Sequence, residues 1–182
     1  MALIKALNGK SPVIGKECFL AETATLIGDV VVGNNCSIWY NAVLRGDVHY
    51  IKIGNNTNVQ DNVVIHATYQ KSPTNIGNNV TIAHGAIVHG CTLNDNVMIG
   101  MNAVILDDAV VESNSIVAAG SVVTKGTVVE SGSVYAGIPA KKVKDISAEL
   151  LHGEVIRIAK AYNLYASWYK DDGSQQSEDG RP

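Results

Sequence analysis

The chain has 182 residues, 46% apolar and 17% charged, which suits one domain with a buried core and a short appendage. A net charge of −3 and a pI near 5.9 argue against a nucleic-acid binder, whose surface would be basic, and no segment approaches the roughly 18 apolar residues that span a bilayer. Three cysteines make no disulfide framework, and the opening Met1-Ala2-Leu3-Ile4-Lys5 lacks the apolar stretch of a secretory signal, so a cytoplasmic location is expected.

From residue 14 onward, aliphatic side chains recur every six positions: Ile14, Leu20, Leu26, Val32, Ile38 and Leu44. The series restarts at Ile53, Val59 and Ile65, and again at Ile76, Ile82 and Val88. It then runs from Leu93 through Ile99, Ile105, Val111 and Val117 to Val123. A small residue usually stands four places later, as at Cys18, Ala24, Cys36, Ala42, Ala86, Ala103 and Ser115. Six is the period of hexapeptide β-helices, in which each repeat is a short strand and a turn. Three repeats make one triangular coil, and coils stack about 4.7–4.9 Å apart with the repeat-start aliphatic pointing inward. From about residue 12 to 135 the pattern resembles the left-handed parallel β-helix of the hexapeptide-repeat superfamily; the handedness is what the resemblance implies. The expected class is all-β, a left-handed parallel β-helix over residues 1–140.

The period slips three times: Leu44 to Ile53 is nine residues, Ile65 to Ile76 eleven, and Val88 to Leu93 five. The extra residues are expected to leave the scaffold as loops near Tyr50 and over residues 67–75, where sites tend to gather. After Pro139 the pattern ends. Ser147 is a candidate N-cap, and the apolar spacing to about Tyr169 predicts a C-terminal α-helix, weakened by Gly153, within residues 141–170. The polar stretch 171–182 is expected to be disordered.

Four of the five histidines lie between His49 and His89. With the three faces labelled a, b and c in chain order, Arg45, His66 and His89 each stand one place after a repeat start on face c, so they stack on successive coils. His84 stands two places after a start on face b, above Asp61. His66 and His89 can therefore share a metal ion, whereas His84 belongs to another face. Faces b and c of different copies meet if three copies pack about a threefold axis. The register thus predicts a homotrimer whose sites take His66 and His89 from one chain and His84 from a neighbour. His49 and His152 are expected to be solvated, and Cys18 and Cys36 to be buried thiols one coil apart.

Arg45-Gly46-Asp47, Gln60-Asp61-Asn62, His66, and His84 followed by His89 after four residues resemble the signature of the gamma-class carbonic anhydrases. The resemblance implies a trimer that hydrates carbon dioxide to bicarbonate with a metal-bound hydroxide. It implies His66, His84 and His89 as ligands of zinc, with iron(II) or cobalt as alternatives, since three imidazoles suit each. It also implies an intersubunit ion pair from Arg45 and Asp47, a water-orienting Gln60, an interface-supporting Asp61, and a tyrosine of the C-terminal helix, Tyr162 ahead of Tyr165, lining the site. The chain departs from the best-known member of that family in two places. Val48 follows Asp47 where that enzyme has a glutamate, and the stretch from Ala67 to Asn75 carries no carboxylate where that enzyme has an acidic loop. Two other readings stand beside it: a coenzyme A-dependent acyltransferase, which needs one basic histidine and no metal triad, and a catalytically weak metal-binding scaffold.

Overall fold

The computed structural model describes residues 1–171, and in it the six-residue period becomes geometry. Two- and three-residue strands pair in parallel with the strand one coil later, making three columns. Face a aligns Ile14, Val32, Ile53, Ile76, Leu93, Val111 and Val129. Face b aligns Leu20, Ile38, Val59, Ile82, Ile99 and Val117. Face c aligns Leu26, Leu44, Ile65, Val88, Ile105 and Val123. These aliphatics fill one continuous core along the axis, with Ala24, Ala42, Val63, Ala86 and Ala103 buried in one corner column. The fold is the expected parallel β-helix of hexapeptide repeats.

The Gly-Asn-Asn triplets have a physical cause. A Cβ on Gly54 would stand 2.6 Å from the carbonyl oxygen of Gly77, so the backbones of successive coils leave no room for one. The next residue ties the coils together: Asn55 Oδ1 accepts from Asn34 N, and Asn78 Oδ1 from Asn55 N, each at 2.8 Å. The third, as Asn56 and Asn79, takes the left-handed conformation that asparagine tolerates.

Where the period slips, the structure corrects one expectation. The residues near Tyr50 do not leave as a loop. Val43–Ile53 is one continuous strand that turns from face c to face a. Its pairing with Thr25–Val32 shifts between Gly28 and Val30, so Asp47 to Tyr50 swell within the strand as a bulge. The second slip is a tight loop closed by a bridge between Thr68 and Ser72.

After Ser133–Ala136 the chain folds back, and Lys141–Asp145 pairs antiparallel at the edge of the face b sheet with all five residues exposed. The hexad pattern does not foretell this strand. Ser147 then caps the helix as expected, its Oγ accepting from Leu150 N at 3.1 Å. The helix is α over Ala148–Leu150, widens to a π turn over Leu151–Ile156, where Gly153 lies, and is α again over Arg157–Asp171. It lies on face b. Val155 packs on Ile116 and Val134, and Trp39 meets Tyr162 edge-on with ring centroids 5.4 Å apart. The thiols of Cys18 and Cys36 donate to the carbonyls of Gly33 and Gly54, one coil on, at 3.1 and 3.0 Å. No helix among the described residues is long and apolar enough to cross a membrane. Residues 172–182, most of the expected tail, lie outside the described residues.

Candidate metal centre

His66 and His89 are partners in the face c ladder, one coil apart. Arg45 follows Leu44, which pairs with Ile65, so it stands in the same column. The stack predicted from the register is therefore present. His66 Nδ1 lies 3.1 Å from His89 Nε2. Each ring is held at its other nitrogen by a carboxylate: His66 Nε2 by Asp47 Oδ1 at 2.9 Å, and His89 Nδ1 by Asp107 Oδ1 at 2.6 Å. A carboxylate only accepts, so each ring carries a proton on its outer nitrogen. When both rings are neutral, two lone pairs face each other across the inner gap, an arrangement that a cation between them relieves. Two nitrogens on a tetrahedral ion with bonds of 2.0–2.1 Å stand about 3.3 Å apart. The donor pair therefore fits such a metal ion.

The carboxylates are held in turn. Arg45 Nη1 donates to Asp47 Oδ2 at 2.5 Å. The ion pair that the resemblance places between subunits forms here inside one protomer. Thr68 Oγ1 donates to Asp107 Oδ2 at 2.7 Å. Partial burial pushes the Asp47 carboxyl up, but hydrogen bonds from Arg45 and His66 outweigh it and hold the group below the usual carboxylate range. Asp107 follows the same rule: burial is outweighed by Thr68 and His89, with Lys125 adding attraction.

His84 repeats the pattern on another face. Its Nδ1 lies 2.8 Å from Asp61 Oδ2, directly above it as predicted, and its ring is half-exposed. Gln60, only 4% exposed, is fixed at both ends of its amide. Its Nε2 donates to Asn58 Oδ1 at 3.0 Å, and its Oε1 accepts from His84 N at 3.2 Å, so it clamps the main chain of His84. Both lie in a mostly apolar cavity of about 340 Å³, with Met98, Met101, Arg157, Tyr162 and Tyr165. Tyr162 and Tyr165 thus both line it. Burial, helped by Asp61 and then Tyr165, pushes the Tyr162 phenol up to about 12. Among the described residues, no three His, Cys, Asp or Glu side chains gather as a metal ion requires. One chain brings together His66 and His89, and keeps His84 apart.

Sequence reasoning missed Asp107 and Thr68. The signal was available: Asp107 stands 18 residues after His89, a carboxylate one coil above that histidine. The loop without carboxylates is also not idle. Besides Thr68, it supplies Thr74, whose hydroxyl donates to the carbonyl of His66 at 2.5 Å and accepts from Gly90 N at 3.0 Å. His49 stays on the bulge, its Nδ1 accepting from Tyr50 N at 2.9 Å, and His152 lies exposed on the helix.

Residues 11–46, 73–107 and 90–125 match the bacterial transferase hexapeptide (six repeats) family. Over 174 residues the chain is 41% identical to gamma carbonic anhydrase 2, mitochondrial, of Arabidopsis thaliana, covering 93% of this chain and 61% of that one. It is also 41% identical over 168 residues to the carbonic anhydrase of Geobacillus kaustophilus, covering 92% of this chain and 91% of that one. The chain belongs to the gamma-class carbonic anhydrase family. This gamma-class chain spans about three fifths of the length of its first plant relatives. Its fold superposes with a TM-score of 0.88 on a hexapeptide transferase family protein from Anaplasma phagocytophilum, 41% identical over 92% of this chain and 98% of that one.

Proposed function

We propose that this protein is a metal-dependent carbonic anhydrase, a homotrimer that hydrates carbon dioxide reversibly at three-histidine sites shared between subunits. The observation that carries the reading is the matched set of histidines. Each has one ring nitrogen held by a carboxylate, and His66 and His89 present their free nitrogens to one another at 3.1 Å. His66 and His89 of one copy and His84 of the next complete the donor set for zinc, with iron(II) and cobalt as alternatives. Such an ion, held by neutral imidazoles, keeps its full charge and supplies the Lewis acidity that activates water near neutral pH.

The chain's own residues do the rest. Asp47, Asp61 and Asp107 keep the ring protons on the outer nitrogens, and Arg45 holds Asp47. Gln60 fixes the main chain that carries His84. Tyr162 keeps its phenol proton at neutral pH and, with Met98 and Met101, walls a cavity apolar enough for carbon dioxide. Val64 and Ile87, 39% and 40% exposed on face c beside the histidines, form an apolar strip that supports packing against a second copy.

The test is stopped-flow hydration of carbon dioxide by protein of confirmed zinc or iron content, with His84→Ala as control and sedimentation to set the subunit count. Activity lost in the variant is expected. A fully metallated trimer without activity sinks the reading. Acyl transfer from a coenzyme A thioester is the second reading, supported by a cavity roomier than carbon dioxide needs and by the transferase name of the Anaplasma phagocytophilum relative. Turnover of acetyl-CoA by a metal-free trimer would establish it instead.

A further inference from the structure

We infer that Asp107 is the positioning residue for His89, and that Thr68, reaching across from the coil below, sets Asp107 in its turn. The inference rests on the metal site proposed above. Asp107 occupies neither a recognised motif position nor the face c column itself. It stands on the coil above His89 and reaches down through space that only Gly90 leaves open, since a Cβ on Gly90 would collide with Asp107 Oδ1. One carboxylate oxygen takes His89 Nδ1 at 2.6 Å and the other takes the Thr68 hydroxyl at 2.7 Å. With both oxygens engaged, the carboxylate has one orientation, and so has the ring. The neighbouring residue repeats the clasp: Ser72 Oγ donates to Asp108 Oδ1 at 2.6 Å, and Lys125 Nζ lies 3.4 Å from Asp108 Oδ2. The loop from Thr68 to Ser72 is thus pinned at both ends to one coil corner.

The chemical consequence falls on His89 Nε2. A carboxylate accepting from Nδ1–H forms a charge-assisted hydrogen bond and makes the opposite nitrogen a better electron donor. It also prevents the ring from flipping or moving its proton to the nitrogen that faces His66. Removing such a partner typically costs 10–100-fold in metal affinity.

The experiment measures zinc affinity of the assembled full-length protein by competition with a chromophoric chelator. Asp107→Asn, which keeps the shape and removes the charge, is expected to weaken zinc binding about tenfold or more. Thr68→Val, which leaves Asp107 in place, is expected to weaken it by a smaller factor, and to add nothing in the Asp107→Asn background. The absorption bands of the cobalt(II) form should shift in both single variants, while far-ultraviolet circular dichroism of the metal-free protein shows the β-helix retained. Zinc affinities of both variants within twofold of the parent, with an unchanged cobalt spectrum, overturn the role of Asp107. A parent protein that takes up no zinc overturns the metal reading itself, so the two failures are distinct.

Discussion

Val128 and Val129 are adjacent, chemically identical, and on opposite sides of the last face a strand; the first is 55% exposed and the second fully buried. Truncating each to alanine tests the register of the coil by one residue. Val129→Ala withdraws two carbons from the core, about 1.6 kcal/mol at about 0.8 kcal/mol each. A residual cavity of roughly 50 Å³ adds about 1.2 kcal/mol at about 24 cal/mol per Å³. The expected loss is therefore about 2–3 kcal/mol, which at about 2–4 °C per kcal/mol lowers the melting temperature by roughly 4–12 °C. Val128→Ala removes the same atoms from a surface already wet, and should stay within about 0.5 kcal/mol of the parent. Calorimetry or circular dichroism on the two variants reads the difference. Equal losses, or a larger loss at Val128, refute the inward assignment of the repeat-start column.

Gly90→Ala should lower the melting temperature more than Gly120→Ala. Both sites are left-handed, costing about 1–2 kcal/mol for any added Cβ, but only Gly90 has atoms in the way, among them Ser72 Cβ at 2.9 Å, whereas Gly120 meets nothing within 4 Å. Burial pushes the Cys91 thiol up to about 12, and the hydrogen bond with Cys18 followed by burial raises that of Cys36. At pH 8 only about 1 in 10,000 Cys91 groups is thiolate, so a disulfide reagent read by mass spectrometry should label Cys91 only after unfolding; labelling of the native protein counts against this packing. Asp47 and Asp107 sit below their usual carboxylate range in the folded protein. A lowered folded value means stability that is complete above the unfolded value near 3.9 and lost as pH falls through the folded one. Acid titration of the metal-free protein should therefore show the loss beginning below about pH 4, and Asp107→Asn should lessen it.

The columns of the β-helix were legible because six-residue spacing is a one-dimensional signal with a single three-dimensional solution. That is why Arg45, His66 and His89 were placed in one stack, and His84 above Asp61, from counting alone. Counting fails where the chain stops repeating. The bulge at Asp47 to Tyr50 reads in sequence like a loop, because surplus residues look alike whether they leave a strand or swell within it; pairing to Thr25–Val32 decides the matter, and pairing is not local. Asp107 was hidden for a related reason. The slip of five residues between Val88 and Leu93 moves it off the histidine column, and its reach depends on the missing side chain of Gly90. The strand Lys141–Asp145 has no buried face, so no apolar alternation announces it.

That last strand has a consequence for the whole particle. A stack of parallel coils ends in open hydrogen-bonding edges, on which another chain of the same kind can continue the sheet without limit. Here the final coil is met by a strand running the other way, carrying Lys141, Lys142 and Lys144 into solvent. A reversed strand is a poor template for a further parallel coil on that face, and ion pairs from Lys142 to Glu130 and Asp145 hold its side chains along the rim. The reversed strand therefore closes one of the three faces at this end of the prism, while Val122–Val123 and Val128–Val129 stay outermost on the other two.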